Sequence, residues 1–122
     1  MSSPNVNKIS DQAFWAAIDQ LVAASKIVID RPKGSRHPRF ADMTYPFDYG
    51  FLEDTTGGDG AEVDIWRGSL EGGAIVGVAC TVDLMKKDAE VKILLGCTPE
   101  EIAVIHKFYN TGPYMNGLTI IR

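Results

Sequence analysis

The chain of 122 residues has few cysteines and histidines, and it lacks a long hydrophobic run. Two cysteines, Cys80 and Cys97, are too few for a disulfide framework. Both lie in apolar stretches, so we expect buried free thiols in a reducing compartment. The two histidines, His37 and His106, are far apart in the sequence, which argues against a zinc site. The longest apolar stretch, residues 74–80, is far shorter than a membrane span.

The sequence also lacks a basic excess, and we expect no secretory signal. It has 12 Lys and Arg residues against 16 Asp and Glu residues, so the formal net charge is −4. This balance does not favour a nucleic-acid or membrane partner. Residues 1–9 are polar, without the apolar core of a signal peptide, and we expect them to form a loose tail. These features predict a single cytoplasmic domain over residues 1–122.

Two segments have helical patterns. Ser10 is a plausible N-cap for a helix over residues 11–25. Its predicted apolar face consists of Phe14, Ile18, Leu21 and Val22, with Trp15 at the edge. A second helix begins after Thr98, where Pro99 and Glu101 complete a capping box. Its predicted buried stripe consists of Ile102, Ile105, Phe108 and Tyr109.

Five or six short segments have strand patterns, separated by turns rich in glycine and proline. They are residues 26–30, 45–54, 62–68, 74–85, 89–97 and 117–121. We therefore predict an α+β protein, a small OB-like, partly closed antiparallel β-barrel with two flanking helices. A short hairpin connection at residues 86–88 predicts a register that places Asp83 opposite Lys92.

Acidic residues are concentrated at two places. Asp59, Glu62 and Asp64 fall within six positions, and Glu62 and Asp64 share strand parity. Asp88 and Glu90 alternate in the same way with Lys92. One interpretation is a solvated sheet face with cross-strand ion pairs, and the residue pattern alone favours it. The other is a site for Mg²⁺, which takes oxygen ligands together with substrate phosphates.

A basic segment, residues 31–39, holds four of the twelve Lys and Arg residues. Lys33, Arg36 and Arg39, with Arg31 and His37 nearby, are candidates for clamping phosphate or carboxylate groups. The alternative is a solvated cationic loop, since the spacing of a P-loop is absent. Tyr45 and Tyr49 share strand parity, and their hydroxyls either contact phosphate or belong to the core.

Four segments in this order resemble the soluble Mg²⁺-dependent inorganic pyrophosphatase family (family I). They are "PKGSR" (32–36), "YPFDYGFLEDT" (45–55), "GGDGAEVDI" (57–65) and "EVK" (90–92). The resemblance covers roughly residues 27–109. It implies an OB-like barrel whose cleft binds Mg²⁺ as cofactor and pyrophosphate, or another small phosphorylated ligand, as substrate. Bacterial members often form hexamers, so the resemblance also implies a homo-oligomer.

The resemblance also implies roles for individual residues. It makes Asp59, Asp64 and Lys92 the catalytic candidates. The implied phosphate-binding residues are Lys33, Arg36, Tyr49, Lys92 and Tyr109. The implied metal ligands are Asp59, Asp64 and Glu90, with Asp88, or alternatively Asp83, as a further ligand.

Three residues depart from the family pattern. Ala61 replaces the central aspartate of the acidic signature, Phe40 replaces a glutamate, and Asn110 replaces a lysine. The hairpin before Tyr45 is also shorter than in the family. One hypothesis is therefore a Mg²⁺-dependent phosphoanhydride hydrolase with weakened or altered activity. The alternative is a non-catalytic module that binds a phosphorylated ligand or a protein partner. An OB-like nucleic-acid binder is disfavoured by the acidic charge balance.

Overall fold

The computed structural model describes residues 11–122, so the predicted tail and Ser10 lie outside the described residues. The described chain forms two helices and one six-stranded sheet. In chain order the elements are α1 (Gln12–Ala23), β1 (Ile27–Arg31), β2 (Asp48–Leu52), β3 (Val63–Arg67), β4 (Ile75–Asp83), β5 (Asp88–Leu95), α2 (Pro99–Tyr109) and β6 (Met115–Ile121). The predicted α+β class with two flanking helices is confirmed.

The sheet is mixed and is not closed into a barrel, which refines the predicted architecture. Its strand order is β1-β2-β3-β5-β4-β6, and the β3–β5 pair is parallel. The chain crosses over after β3, so β5 lies between β3 and β4. Gly68 allows this crossover to pass closely, because a Cβ atom there would lie 2.6 Å from the carbonyl oxygen of Gly96. Residue alternation carries no information on strand order.

The predicted start of α2 is confirmed in detail. The Thr98 hydroxyl accepts a hydrogen bond from the Glu101 N–H at 3.1 Å, and Glu101 Oε1 accepts one from the Thr98 N–H at 2.8 Å. The Glu101 carboxylate also accepts hydrogen bonds from the N–H and hydroxyl of Ser69. The cap therefore ties α2 to the turn that follows β3.

The buried face of helix α1 is rotated from the predicted one and shares Ile18 and Val22 with it. Trp15 is buried, with Ile18 and Val22 packed on the same cluster, whereas Phe14 is 46% exposed. The Arg122 guanidinium lies 5.7 Å from the centre of the Trp15 ring and forms an ion pair with α1. Docking against the end of β6 therefore turns Trp15 inwards, although the prediction placed it at the edge of the stripe.

The register of the β4–β5 hairpin was predicted wrongly. Asp83 pairs with Asp88, and Ala79, not Asp83, pairs with Lys92. The strands are joined by four residues, 84–87, and the Asp83 carboxylate accepts backbone hydrogen bonds from Met85 and Lys86. The turn begins two residues earlier than the predicted connection, and the partner of Asp83 therefore shifts by four residues, from Lys92 to Asp88.

The two faces of the sheet have different cores. The face under α1 is aliphatic and includes Leu52, Ile65, Ile75, Val78, Ile93 and Leu95. The face under α2 is aromatic and includes Tyr45, Tyr49, Trp66, Phe108 and Tyr109. Both cysteines are free thiols; Cys97 is buried on the α2 side, and Cys80 is partly exposed on the α1 side. Neither described helix has the length and apolar character required to cross a membrane.

Candidate functional site

Lys92 on β5 is the centre of a polar network on the α2 face. Its side chain is almost fully buried, and its ammonium lies 2.5 Å from Glu90 Oε2 and 2.9 Å from Asp64 Oδ2. The same ammonium lies 3.1 Å from the Tyr49 hydroxyl. Strand alternation places Glu90 and Lys92 on one face, and the parallel β3–β5 pairing brings Asp64 beside them.

The network holds Lys92 charged and Tyr49 neutral. Burial alone would lower the pKa of the Lys92 ammonium, but the surrounding tyrosine and carboxylate groups outweigh it and raise the pKa. Burial is the main cause of the raised pKa of Tyr49. The Tyr49 hydroxyl donates to Asp64 Oδ2 at 2.7 Å and accepts a hydrogen bond from Lys92. Lys92 therefore offsets carboxylate charge in a mostly water-free position.

An acidic group lies next to this network. Asp59 comes from the loop between β2 and β3, while Asp88 and Glu90 come from the start of β5, and their ligand oxygens lie within 4.8 Å of one another. The hydrogen bond between Asp59 and Glu90 lowers the pKa of Asp59. Burial, followed by that same hydrogen bond, raises the pKa of Glu90. As the pH falls, Glu90 therefore takes up a proton before Asp59.

The donor set of the acidic group suits a hard divalent cation. All three residues offer carboxylate oxygens, the ligand type of Mg²⁺ and Ca²⁺. Two oxygens on opposite sides of Mg²⁺ stand about 4.2 Å apart, twice its ligand distance, so a small closing movement would suffice. A recess of about 20 Å³, bordered by Asp59, Asp64 and Glu90, adjoins the group. That volume accommodates one water molecule or one small ion.

The structure brings together most of the predicted metal ligands. Asp59, Asp88 and Glu90 converge, while Asp64 borders the same recess but is engaged by Lys92 and Tyr49. Of the two alternatives for the further ligand, Asp88 belongs to the acidic group, whereas Asp83 caps its own turn. Glu62, which was not among the predicted ligands, also borders the recess. The sequence signal for its position was the strand parity that it shares with Asp64.

The predicted phosphate-binding residues are more dispersed. The Lys33 ammonium lies 5.6 Å from the centre of the Phe47 ring, and Arg36 is exposed in a loop closed by a backbone bridge to Thr44. Tyr109 is 4% exposed, and its hydroxyl accepts a hydrogen bond from Trp66 Nε1 at 2.7 Å. Only Tyr49 and Lys92 of this predicted set contact the site carboxylates among the described residues.

Arg31, which the sequence analysis placed beside the candidate phosphate clamp, is a neighbour of the site. Its guanidinium lies 5.8 Å from the centre of the Tyr49 ring and 5.4 Å from that of Tyr45, and it donates a hydrogen bond to the Tyr45 hydroxyl. The signal in the sequence was the position of Arg31 in the basic segment 31–39, a candidate for binding phosphate or carboxylate groups.

The three departures from the family pattern occupy distinct surroundings. Ala61 is exposed, and its N–H donates to Asp59 Oδ1 at 3.1 Å. Phe40 is exposed beside the His37 ring. The Asn110 side chain accepts from the N–H of Gly117 and donates to its carbonyl, both at 3.1 Å. Asn110 therefore joins the end of α2 to β6.

Comparison with known proteins gives a likeness in fold. No family model matches the chain, and no curated protein matches it. Among solved structures, an inorganic phosphatase from Anaplasma phagocytophilum aligns with a TM-score of 0.54 at 18% identity, covering 78% of this chain and 81% of the other. An inorganic pyrophosphatase from Helicobacter pylori aligns over the same shares with a TM-score of 0.54 at 17% identity.

A third structure, an inorganic pyrophosphatase from Neisseria gonorrhoeae, aligns with a TM-score of 0.51 at 20% identity. The alignment covers 79% of this chain and 73% of that one. The chain therefore has a pyrophosphatase-like fold. At these identities the relationship is structural, and it leaves activity to be argued from the site.

Proposed function

We propose that this protein is a Mg²⁺-dependent hydrolase of a phosphoanhydride bond, acting on pyrophosphate or a related small phosphorylated compound. The observation that carries the proposal is the convergence of Asp59, Asp88 and Glu90 beside the buried Lys92. This convergence occurs in a fold shared with inorganic pyrophosphatases. A homo-oligomer, a cytoplasmic location and the lack of nucleic-acid or membrane partners stay predictions.

The acidic group would hold the cation. A bound Mg²⁺ supplies charge neutralisation for phosphate oxygens and lowers the pKa of a bound water. Asp64 borders the recess and is oriented by Tyr49 and Lys92, so its carboxylate would help to position the cation and its bound water. Glu62 borders the same recess.

Lys92 would contact the phosphate of the substrate. Its ammonium has three N–H donors, and Glu90, Asp64 and Tyr49 engage all of them. A phosphate oxygen can reach Lys92 only when one of these partners moves away. Activity towards pyrophosphate should also be weak, because loss of a general base costs about 10²–10⁴ in rate and Ala61 offers none.

Because all three N–H donors of Lys92 are already engaged, the structure also favours a second candidate function. A module that binds a phosphorylated ligand or a protein without cleaving it needs neither a base at position 61 nor a free lysine. In that case Asn110 and Ala61 serve only the backbone contacts described above.

An assay of phosphate release separates the two functions. We expect release from pyrophosphate, or from a member of a nucleotide panel, with Mg²⁺ and none with a chelator. Asp64→Asn should abolish release, whereas the exposed control Asp42→Asn should not change it. Release that Asp64→Asn leaves intact would show that the hydrolytic site lies elsewhere.

Two further measurements sharpen the assay. Ala61→Asp should raise pyrophosphate hydrolysis if the remaining site is poised for it. If no substrate turns over in either protein, but pyrophosphate with Mg²⁺ raises the melting temperature, the binding function replaces the hydrolase. Absence of turnover together with absence of any melting shift would contradict both candidates.

A further inference from the structure

Arg31 lies on the same side of the sheet as the polar network. A β-bulge between Ile29 and Arg31 aligns Arg31 with Tyr49 on the neighbouring strand. The Arg31 guanidinium and the Lys92 ammonium both lie within 6 Å of the centre of the Tyr49 ring, at 5.8 and 5.7 Å. The two cations therefore border one aromatic side chain of the candidate site.

Arg31 is partly buried without a carboxylate partner. Within residues 11–122 the arginines Arg67 and Arg122 form ion pairs with Asp48 and Asp19, but no acidic oxygen lies within 4.0 Å of Arg31. The only side-chain hydrogen bond of Arg31 within this described range goes to the Tyr45 hydroxyl, a neutral acceptor. Withdrawing a charge from water is costly unless an anion or several hydrogen bonds compensate for it. The remaining N–H donors of Arg31 therefore suit an anionic ligand.

The excess of negative charge at the site also favours a role for Arg31 in binding an anionic ligand. Asp59, Asp64, Asp88 and Glu90 converge on it, and Lys92 is its only cation in direct contact with them among the described residues. A phosphate group approaching these carboxylates needs additional positive charge. The planar fork of a guanidinium is preset to form two parallel hydrogen bonds to one phosphate group, a geometry that an ammonium does not impose.

We propose that Arg31 is a substrate-binding residue, whose guanidinium holds a phosphate group of the ligand beside Tyr49 while Lys92 contacts the same ligand from the other side. The assignment rests on the proposed function. It concerns recognition of the phosphate and not the chemical step, so Arg31 acts mainly on affinity. Each cation lies within 6 Å of the same ring centre, so the two are less than 12 Å apart.

The test compares Arg31→Met with Arg67→Met. Methionine keeps an apolar stem against the tyrosine rings but removes the charge, and Arg67 is an exposed arginine outside the site. Affinity for imidodiphosphate with Mg²⁺ is measured by calorimetry, and KM and kcat are measured with pyrophosphate. We expect Arg31→Met to weaken affinity and raise KM about 10–100-fold, with kcat little changed, as for loss of charged hydrogen bonds. Arg67→Met should bind like the wild type.

Chemical rescue separates recognition from packing. In Arg31→Ala, millimolar guanidinium ion should restore part of the lost affinity, and Arg31→Lys should retain part of it; melting temperatures report whether each variant folds. Wild-type binding that Arg31→Met leaves unchanged, or a loss that guanidinium does not restore, overturns the Arg31 assignment alone. A wild type that neither binds imidodiphosphate nor hydrolyses any phosphorylated compound overturns the proposed function and the assignment with it.

Discussion

The two faces of the sheet use the same strands for different purposes. Under α1 the strand side chains are aliphatic and contribute only packing contacts. Under α2 the core is aromatic, carries hydroxyl groups, and adjoins the buried Lys92. Ile65 and Ile93 belong to the first face, while Asp64 and Lys92, each one residue away, belong to the second.

The α1 face therefore contributes to stability, whereas the α2 face also carries the candidate site. A polar network at the centre of the α1 face would interrupt continuous aliphatic packing. On the α2 face, the hydroxyl and indole groups of the core supply hydrogen-bond partners, and the network lies where the core gives way to the recess. Substitutions on the α1 face should therefore change folding alone, and substitutions on the α2 face should change folding and ligand binding together.

The largest effect is expected from Leu52→Ala on the α1 face. Leu52 is fully buried, and truncation to alanine at such a position costs about 2–5 kcal/mol of unfolding free energy. Urea denaturation measures the loss, with Val82→Ala, at a half-exposed position, as the control. Affinity of the folded fraction for imidodiphosphate should not change. A large loss of affinity would contradict the expectation that substitutions on the α1 face change folding alone.

The next effect is expected from Lys92→Met on the α2 face. Loss of the ammonium leaves Asp64 and Glu90 without their cation, so we expect the unfolding free energy to fall by about 1–3 kcal/mol. Turnover should fall on the order of 10²-fold, since a preorganised cation is lost. Lys86→Met, on the exposed β4–β5 turn, is the matched control. Equal behaviour of the two variants would mean that Lys92 has no special role.

A smaller effect is expected from Tyr49→Phe. The change removes one hydroxyl that donates to Asp64 and accepts from Lys92, and should cost about 1 kcal/mol of unfolding free energy. Because the ring remains, any loss of imidodiphosphate affinity reports on the hydroxyl network. Tyr114→Phe, at an exposed position, should change neither quantity. A Tyr49→Phe protein indistinguishable from that control would remove Tyr49 from the site.

The two cysteines offer the mildest comparison, because one lies on each side of the sheet. Burial raises the pKa of the Cys97 thiol to about 11, and below that pH the unreactive thiol form predominates. At pH 8 the native protein should react with a thiol reagent quickly at Cys80, which is partly exposed, and at Cys97 only after unfolding. Peptide mapping after timed labelling checks the order, and fast labelling of Cys97 in the native state would contradict its burial.

Local patterns in the sequence predicted the parts of the structure that depend on near neighbours in the chain. The capping box at Thr98 satisfies backbone groups three residues away, so its presence could be inferred without the fold. The same holds for Glu90 and Lys92, since alternation places residues two apart on one face of a strand. The register of the β4–β5 hairpin was predicted wrongly because the sequence pattern did not show where the turn begins and ends. Four turn residues separate the two strands.

The sequence by itself determined the α+β class, the start of α2 and the alternation that aligns Glu90 with Lys92. Only the tertiary structure decided that β5 lies beside β3, that the loop carrying Asp59 reaches Asp88, and that Arg31 contacts Tyr49. The physical reason is that strand neighbours and loop contacts join residues far apart in the chain. Their choice depends on packing both faces of the sheet at once, which no local pattern records.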